Sequence, residues 1–144
     1  MIKKILNTCE EKLIEEKSNA KFSSILIKNN KEFYFNFHDN EQLLIYSFLF
    51  DKEGNLKNVE KIKEDFRPLK EEDEIKEEEI KKIEEALNEA KNKELKDFII
   101  TKKEGRLNLV EFDLKEQKIT EYEINNEGKI KKKEFKFNDI FKMQ

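Results

Sequence analysis

Three kinds of residue in this chain have chemistry that could reach beyond packing: one histidine, His38; one cysteine, Cys9; and oxygen-rich turns such as Asp51-Lys52-Glu53-Gly54. His38 stands between Phe37 and Asp39 with no second imidazole and no thiol near it in sequence. A transition-metal site or a histidine-activated nucleophile needs such partners, so His38 reads as a turn or surface histidine. Cys9 falls on the apolar side of a helical pattern, where a thiol serves as a small core residue. A lone cysteine excludes an internal disulfide and fits a reducing compartment. The turns lack the alternating ligands, sixth-position Gly and twelfth-position Glu of a calcium loop, so they read as plain turns. Only three glycines occur, all in turns, which leaves no Gly-rich phosphate cradle. Carboxylates are too abundant for any one pair to stand out. The expectation is no catalytic residue, no metal and no cofactor, hence no enzyme.

Three other patterns suit binding better than catalysis. Tyr34, Asn36 and His38 alternate with Phe33, Phe35 and Phe37. If the Phe side is core, the first three point away from it, and Tyr46 is expected to join them as a protein-binding set. The segment from Lys129 to Lys136 holds Lys129, Lys131, Lys132, Lys133 and Lys136 with Phe135 interleaved. It is a nucleic-acid candidate, weighed against a solvated edge strand whose lysines discourage aggregation. The acidic block Glu71 to Glu79 reads mainly as a solvated helix start, with mimicry of a nucleic-acid backbone as the functional alternative.

These residues need elements to hold them. Ile2, Ile5, Leu6, Cys9 and Leu13 recur at helical spacing over residues 2–17. Period-two segments follow at 22–28, 32–38, 43–50 and 56–62. After Arg67-Pro68, a second helix is expected over 72–93, with Ile75, Ile80, Ile83, Ala86, Leu87 and Ala90 as its stripe and acidic residues at its start. Strands are then expected at 98–103, 106–113, 118–124 and 130–137, with the apolar tail 139–143 docked. Leu43 to Phe50 is nearly continuously apolar. It is therefore expected to be covered on both faces, by the second half of the chain or by another molecule.

A shift of 74 residues lines up both helices and all strands: Cys9 meets Ile83, Phe35 meets Leu109, Asp39 meets Asp113, and Gly54 meets Gly128. The reading is α+β, a tandem duplication of a helix plus four-stranded antiparallel meander in one compact unit. Residues 1–66 form the first copy, 67–74 the linker and 75–144 the second copy. That repeat resembles architectures found among small inhibitor and toxin-immunity proteins.

With 44% charged residues and a net charge of −3, the surface is heavily solvated. The charge is uneven: −1 over residues 1–66 (11 basic, 12 acidic), −4 over 67–97 (8 basic, 12 acidic) and +2 over 98–144 (11 basic, 9 acidic). No window is apolar enough for a signal peptide or a membrane span, so a cytoplasmic protein is expected. The function expected is that of a non-enzymatic protein-binding inhibitor, such as a toxin-immunity protein or a phage-type anti-defence (anti-CRISPR-like) protein. Its partner would be a protein target, and self-association is left open. The alternative is a nucleic-acid-binding accessory protein using the basic C-terminal hairpin.

Overall fold

A computed structural model describes residues 2–90 and 96–137. Helix α1 (Ile2–Glu15) is followed by strands β1 (Lys21–Lys28), β2 (Glu32–Asp39), β3 (Leu44–Phe50) and β4 (Leu56–Ile62). Two single 3-10 turns (Glu71–Asp73 and Glu77–Glu79) lead into helix α2 (Ile80–Ala90). Strands β5 (Lys96–Lys103), β6 (Arg106–Asp113), β7 (Lys118–Asn125) and β8 (Gly128–Lys136) complete the regular structure of the described residues.

All eight strands belong to one antiparallel sheet in the order β4-β3-β2-β1-β5-β6-β7-β8. Over the described residues the fold is α+β, with one continuous sheet and two α-helices. The two meanders meet edge to edge, β1 pairing with β5 through Ser24↔Thr101, Ile25↔Ile100, Leu26↔Ile99 and Ile27↔Phe98. Of the two coverings expected for β3, the second half of the chain is not one: it widens the sheet instead. Two helices on one sheet do not by themselves establish a tandem copy.

The helices share a core with one face of the sheet. Phe35, Phe37, Tyr46, Phe48 and Phe50 of β2 and β3, Phe98, Ile100 and Leu109 of β5 and β6, Ile5, Cys9 and Leu13 of α1, and Ile83, Ala86 and Leu87 of α2 all belong to one buried cluster. Each large apolar side chain removed from water contributes about 1.5–3 kcal/mol, so this cluster supplies the main drive for folding. Aromatic edges lock the interior: Phe37 meets Phe48 and Phe35 meets Phe50 edge-on, at 5.5 and 5.7 Å between centroids.

Turn chemistry repeats along the chain. Asp39 Oδ1 accepts the N–H groups of Glu41 and Gln42, and Asp113 Oδ1 those of Lys115 and Glu116. Both turns then close through a left-handed residue, Leu43 (φ 56°) or Gln117 (φ 53°). The hairpin at Gly54 is held by Asp51 Oδ1 and the one at Gly128 by Asn125 Oδ1. These are side chains whose oxygens satisfy turn amides within a few residues.

Between β4 and α2 the chain forms a strap along one end of the sheet. Asn40 bonds Leu69 through both its amide N–H and its carbonyl oxygen, each at 2.9 Å. The Ile75 N–H reaches the Phe22 carbonyl, and Asp73 Oδ1 accepts the Glu104 N–H. Helix α2 therefore starts at Ile80, after the expected 72. Ile75, 3% exposed, is drawn into the core as part of the strap. The expected tail 139–143 and the helix beyond residue 90 lie outside the described residues.

Candidate protein-binding face

The side of the sheet opposite the helices is the candidate site. Along β2 the alternation turns Phe35 and Phe37 inward and Tyr34, Asn36 and His38 to this open side. Along β3 it turns Leu44, Tyr46, Phe48 and Phe50 inward and leaves Ile45, Ser47 and Leu49 outside, half-buried. Tyr46 thus parts from the other three predicted residues. It pairs with Phe37, lies in the core at 1% exposure and stacks 6.3 Å from Phe48. The signal that places it is Ser47, the one polar residue of β3, whose parity puts Tyr46 on the opposite side.

Register then builds two rows straight across the open side. One runs Asn58, Leu49, Tyr34, Leu26, Ile99, Val110, Glu121 and Lys133, from β4 to β8. The other runs Glu60, Ser47, Asn36, Ser24, Thr101, Asn108, Glu123 and Ile130. The second to sixth members of each row, on β3, β2, β1, β5 and β6, are uncharged, in a chain where 44% of residues carry charge. One row is apolar in its middle and its neighbour is hydroxyl and amide. Charges stand only at the margins. All ten central side chains are half-buried by their neighbours in the sheet. Asn36 donates to the Ser24 hydroxyl at 3.1 Å, so the central amide is fixed in orientation.

Tyr34 is also fixed: its hydroxyl donates to Glu32 at 2.7 Å and Lys28 stands 5.3 Å over its ring. The hydrogen bond to Glu32 raises the phenol's pKa, with burial adding to it. His38, at the strap end of the face, is engaged within the chain. Its Nδ1 is 3.0 Å from the Arg67 carbonyl and its ring 5.7 Å from that of Phe66. A carbonyl only accepts, so Nδ1 carries the proton here.

The lysine-rich strand β8 is the sheet's outer edge, and its five lysines do not form one basic face. Lys131 pairs with Glu134, Lys132 with Glu123 at 3.4 Å, and Lys129 stands 4.2 Å over the Tyr122 ring. Lys133 sits opposite Glu121 in register. The hydrogen bond from Lys131, with Lys118 nearby, holds the Glu134 carboxyl below its usual range. Opposite charges within the hairpin thus offset the field that a phosphate backbone would meet.

Cys9 is fully buried, and burial pushes its thiol pKa far up, as suits a core residue. Among the described residues, no group of three or more His, Cys, Asp or Glu side chains is arranged to hold a metal ion. A polar cleft of about 220 Å³ opens beside Glu79, Lys82, Arg106, Glu123 and Asn125. Its carboxylates are answered from within, Glu79 by Lys102 at 2.7 Å and Glu123 by Lys132. No described helix is long and apolar enough to cross a membrane. Compared with protein-family models, with curated proteins and with solved structures, the chain matches none.

Proposed function

We propose that this chain is a non-enzymatic protein-binding inhibitor that acts by covering a surface of its target, as toxin-immunity and phage anti-defence proteins do. The observation that carries this reading is the uncharged centre of the open face. Interface cores are depleted of charge while their rims stay polar, and ten contiguous uncharged side chains on a rigid sheet have that composition. Tyr34 and Asn36 lie within it, with His38 beside it. On this reading the partner is a protein, the chain works in the cytoplasm of the cell that makes it, and no step of bond chemistry is involved.

We further propose that the scaffold arose by tandem copying of a helix-plus-meander unit, residues 1–66 and 75–144. The matching Asp39 and Asp113 turns support this, as does the β1–β5 seam, whose pair Ile25↔Ile100 lies between two sets of strands in mirrored order. Under the 74-residue shift the open face has diverged: Tyr34 corresponds to Asn108 and Leu49 to Glu123. In the core, Phe35 corresponds to Leu109 and Phe48 to Tyr122, while Phe37 corresponds to Glu111 and Tyr46 to Thr120.

The test is affinity capture from the source cell, then an activity assay on the captured enzyme. Tyr34→Ala and Thr101→Arg should each reduce capture at least tenfold while leaving the far-UV circular dichroism unchanged. Reversal of Lys131, Lys132 and Lys133 to Glu should leave it intact. Retention of RNA or DNA at low salt, lost steeply as salt rises and lost in the triple reversal, would instead favour the basic hairpin as the working surface.

A further inference from the structure

We infer that the cleft beside the start of α2 is a binding site for a compact oxyanion, a phosphoryl or carboxylate group. The cleft owes its existence to a difference between the two halves of the molecule. Ile5 of α1 and Glu79 stand 74 residues apart in sequence, as do Gly54 and Gly128. In the first half Ile5 is buried, and its Cγ1 lies 3.9 Å from where a β-carbon on Gly54 would stand, so the hairpin closes over the helix. In the second half a carboxylate takes the place of that hydrocarbon. It turns to Lys102 Nζ at 2.7 Å and to the Lys76 N–H. No described atom comes within 4 Å of the corresponding point on Gly128, and a cleft of about 220 Å³ lies between the helix start and the hairpin.

The lining decides what the cleft can take. Leu107 and Ile124 are its apolar part, both buried. Around them stand Lys82, Arg106, Asn125 and Asn126, all able to donate. Two carboxylates line the cleft as well, yet each has a lysine that does not. Glu79 has Lys102, and Glu123 has Lys132 at 3.4 Å, nearer than Arg106 Nε at 3.9 Å. Among the described residues, nothing accepts a hydrogen bond from the Lys82 ammonium, the Arg106 guanidinium or the Asn126 amide. Asn125 Oδ1 takes the Glu127 N–H at 2.8 Å, which leaves its own N–H groups to donate. A guanidinium fork, an ammonium and two amides around one cleft match the lone pairs of an oxyanion. Glu104 and Glu127, exposed at the neighbouring turns, lower the affinity without lining the cleft. Pockets for drug-sized ligands start at about 300 Å³, so this one takes a small ion or the end group of a larger molecule.

The experiment is a titration of the isotope-labelled full chain with sodium phosphate, read by amide chemical shifts against sodium chloride at matched ionic strength. The Gly105 N–H and the side-chain amides of Asn125 and Asn126 should shift and saturate. Lys82→Gln and Arg106→Gln, neither in the core, should each raise the dissociation constant at least about fivefold, the range for one charge-assisted bond. Lys81→Gln, exposed on the same helix, should change nothing. Sodium acetate in place of phosphate tells the two sources of oxyanion apart: saturation by phosphate alone assigns a phosphoryl group, and saturation by acetate assigns a carboxylate. Shifts that follow only ionic strength with both salts overturn the inference, and so do saturable shifts that both substitutions leave in place. Capture of a protein through Tyr34 and Thr101 does not depend on either result, so this site and the open face stand or fall separately.

Discussion

At the scale of single residues, backbone conformation and turn carboxylates are where the fold is most adjustable. Leu43 is 58% exposed and held at φ 56°, a conformation that costs a β-carbon about 1–2 kcal/mol. Leu43→Gly removes that cost, offset only in part by the added entropy of the unfolded chain. The expected net gain is about 1 kcal/mol, seen as a rise of about 2–4 °C in thermal unfolding. Asp51 is a pH handle. The Asn55 N–H, first among its donors, holds its carboxyl below the usual value. A lowered folded-state value means the stabilisation is present above the unfolded-state pKa and lost as pH falls through the folded one. The Gly54 hairpin should therefore loosen in acid, with faster amide exchange at Asn55 than Asp51→Asn shows over the same pH change. Residue-level faces were legible on β2, where Phe and polar side chains alternate. They were not on β3, where only Ser47 breaks the apolar run and Tyr46 was placed on the wrong side.

Elements show where local pattern yields to tertiary contact. The acidic run before α2 has helical spacing, yet residues 71–79 form two 3-10 turns and an extended connection instead. The cause is Ile75, which reaches back to the Phe22 carbonyl and into the core, a contact invisible to any window of sequence. Where the helix does begin, Glu79 joins it to the sheet. Its carboxylate takes the Lys76 N–H at 3.0 Å and Lys102 Nζ at 2.7 Å, with the two ion-paired side chains only 11% and 10% exposed. Removing one charge of a buried pair strands the other. Lys102→Met should thus destabilise the protein by about 3 kcal/mol in urea unfolding, and pairing it with Glu79→Met should recover part of that loss.

For the whole molecule, the elements were readable from periodicity, but their arrangement was not. Alternation says which side chains share a face and says nothing about which strand lies beside which. The nearly continuous apolar run of β3 suggested a covering layer, whereas the second meander continues the sheet and leaves Ile45 and Leu49 half-exposed. The candidate face was visible only as its β2 residues; its rows span eight strands and emerge from register alone. One sheet over one core should unfold as a unit. Phe48→Ala in the first meander and Leu109→Ala in the second should each cost about 3 kcal/mol, with near-UV and far-UV signals moving together in a single transition.

The seam between β1 and β5 also orders events at the ribosome. Both outer strands of the finished sheet carry lysines along their length, whereas Phe22 to Ile27 of β1 has none between Lys21 and Lys28. Until β5 has been synthesised, that apolar edge is bare on the nascent chain, a template for wrong pairing with neighbouring polysomes. Slow translation between Asn29 and Lys96 would lengthen the interval in which a chaperone is needed.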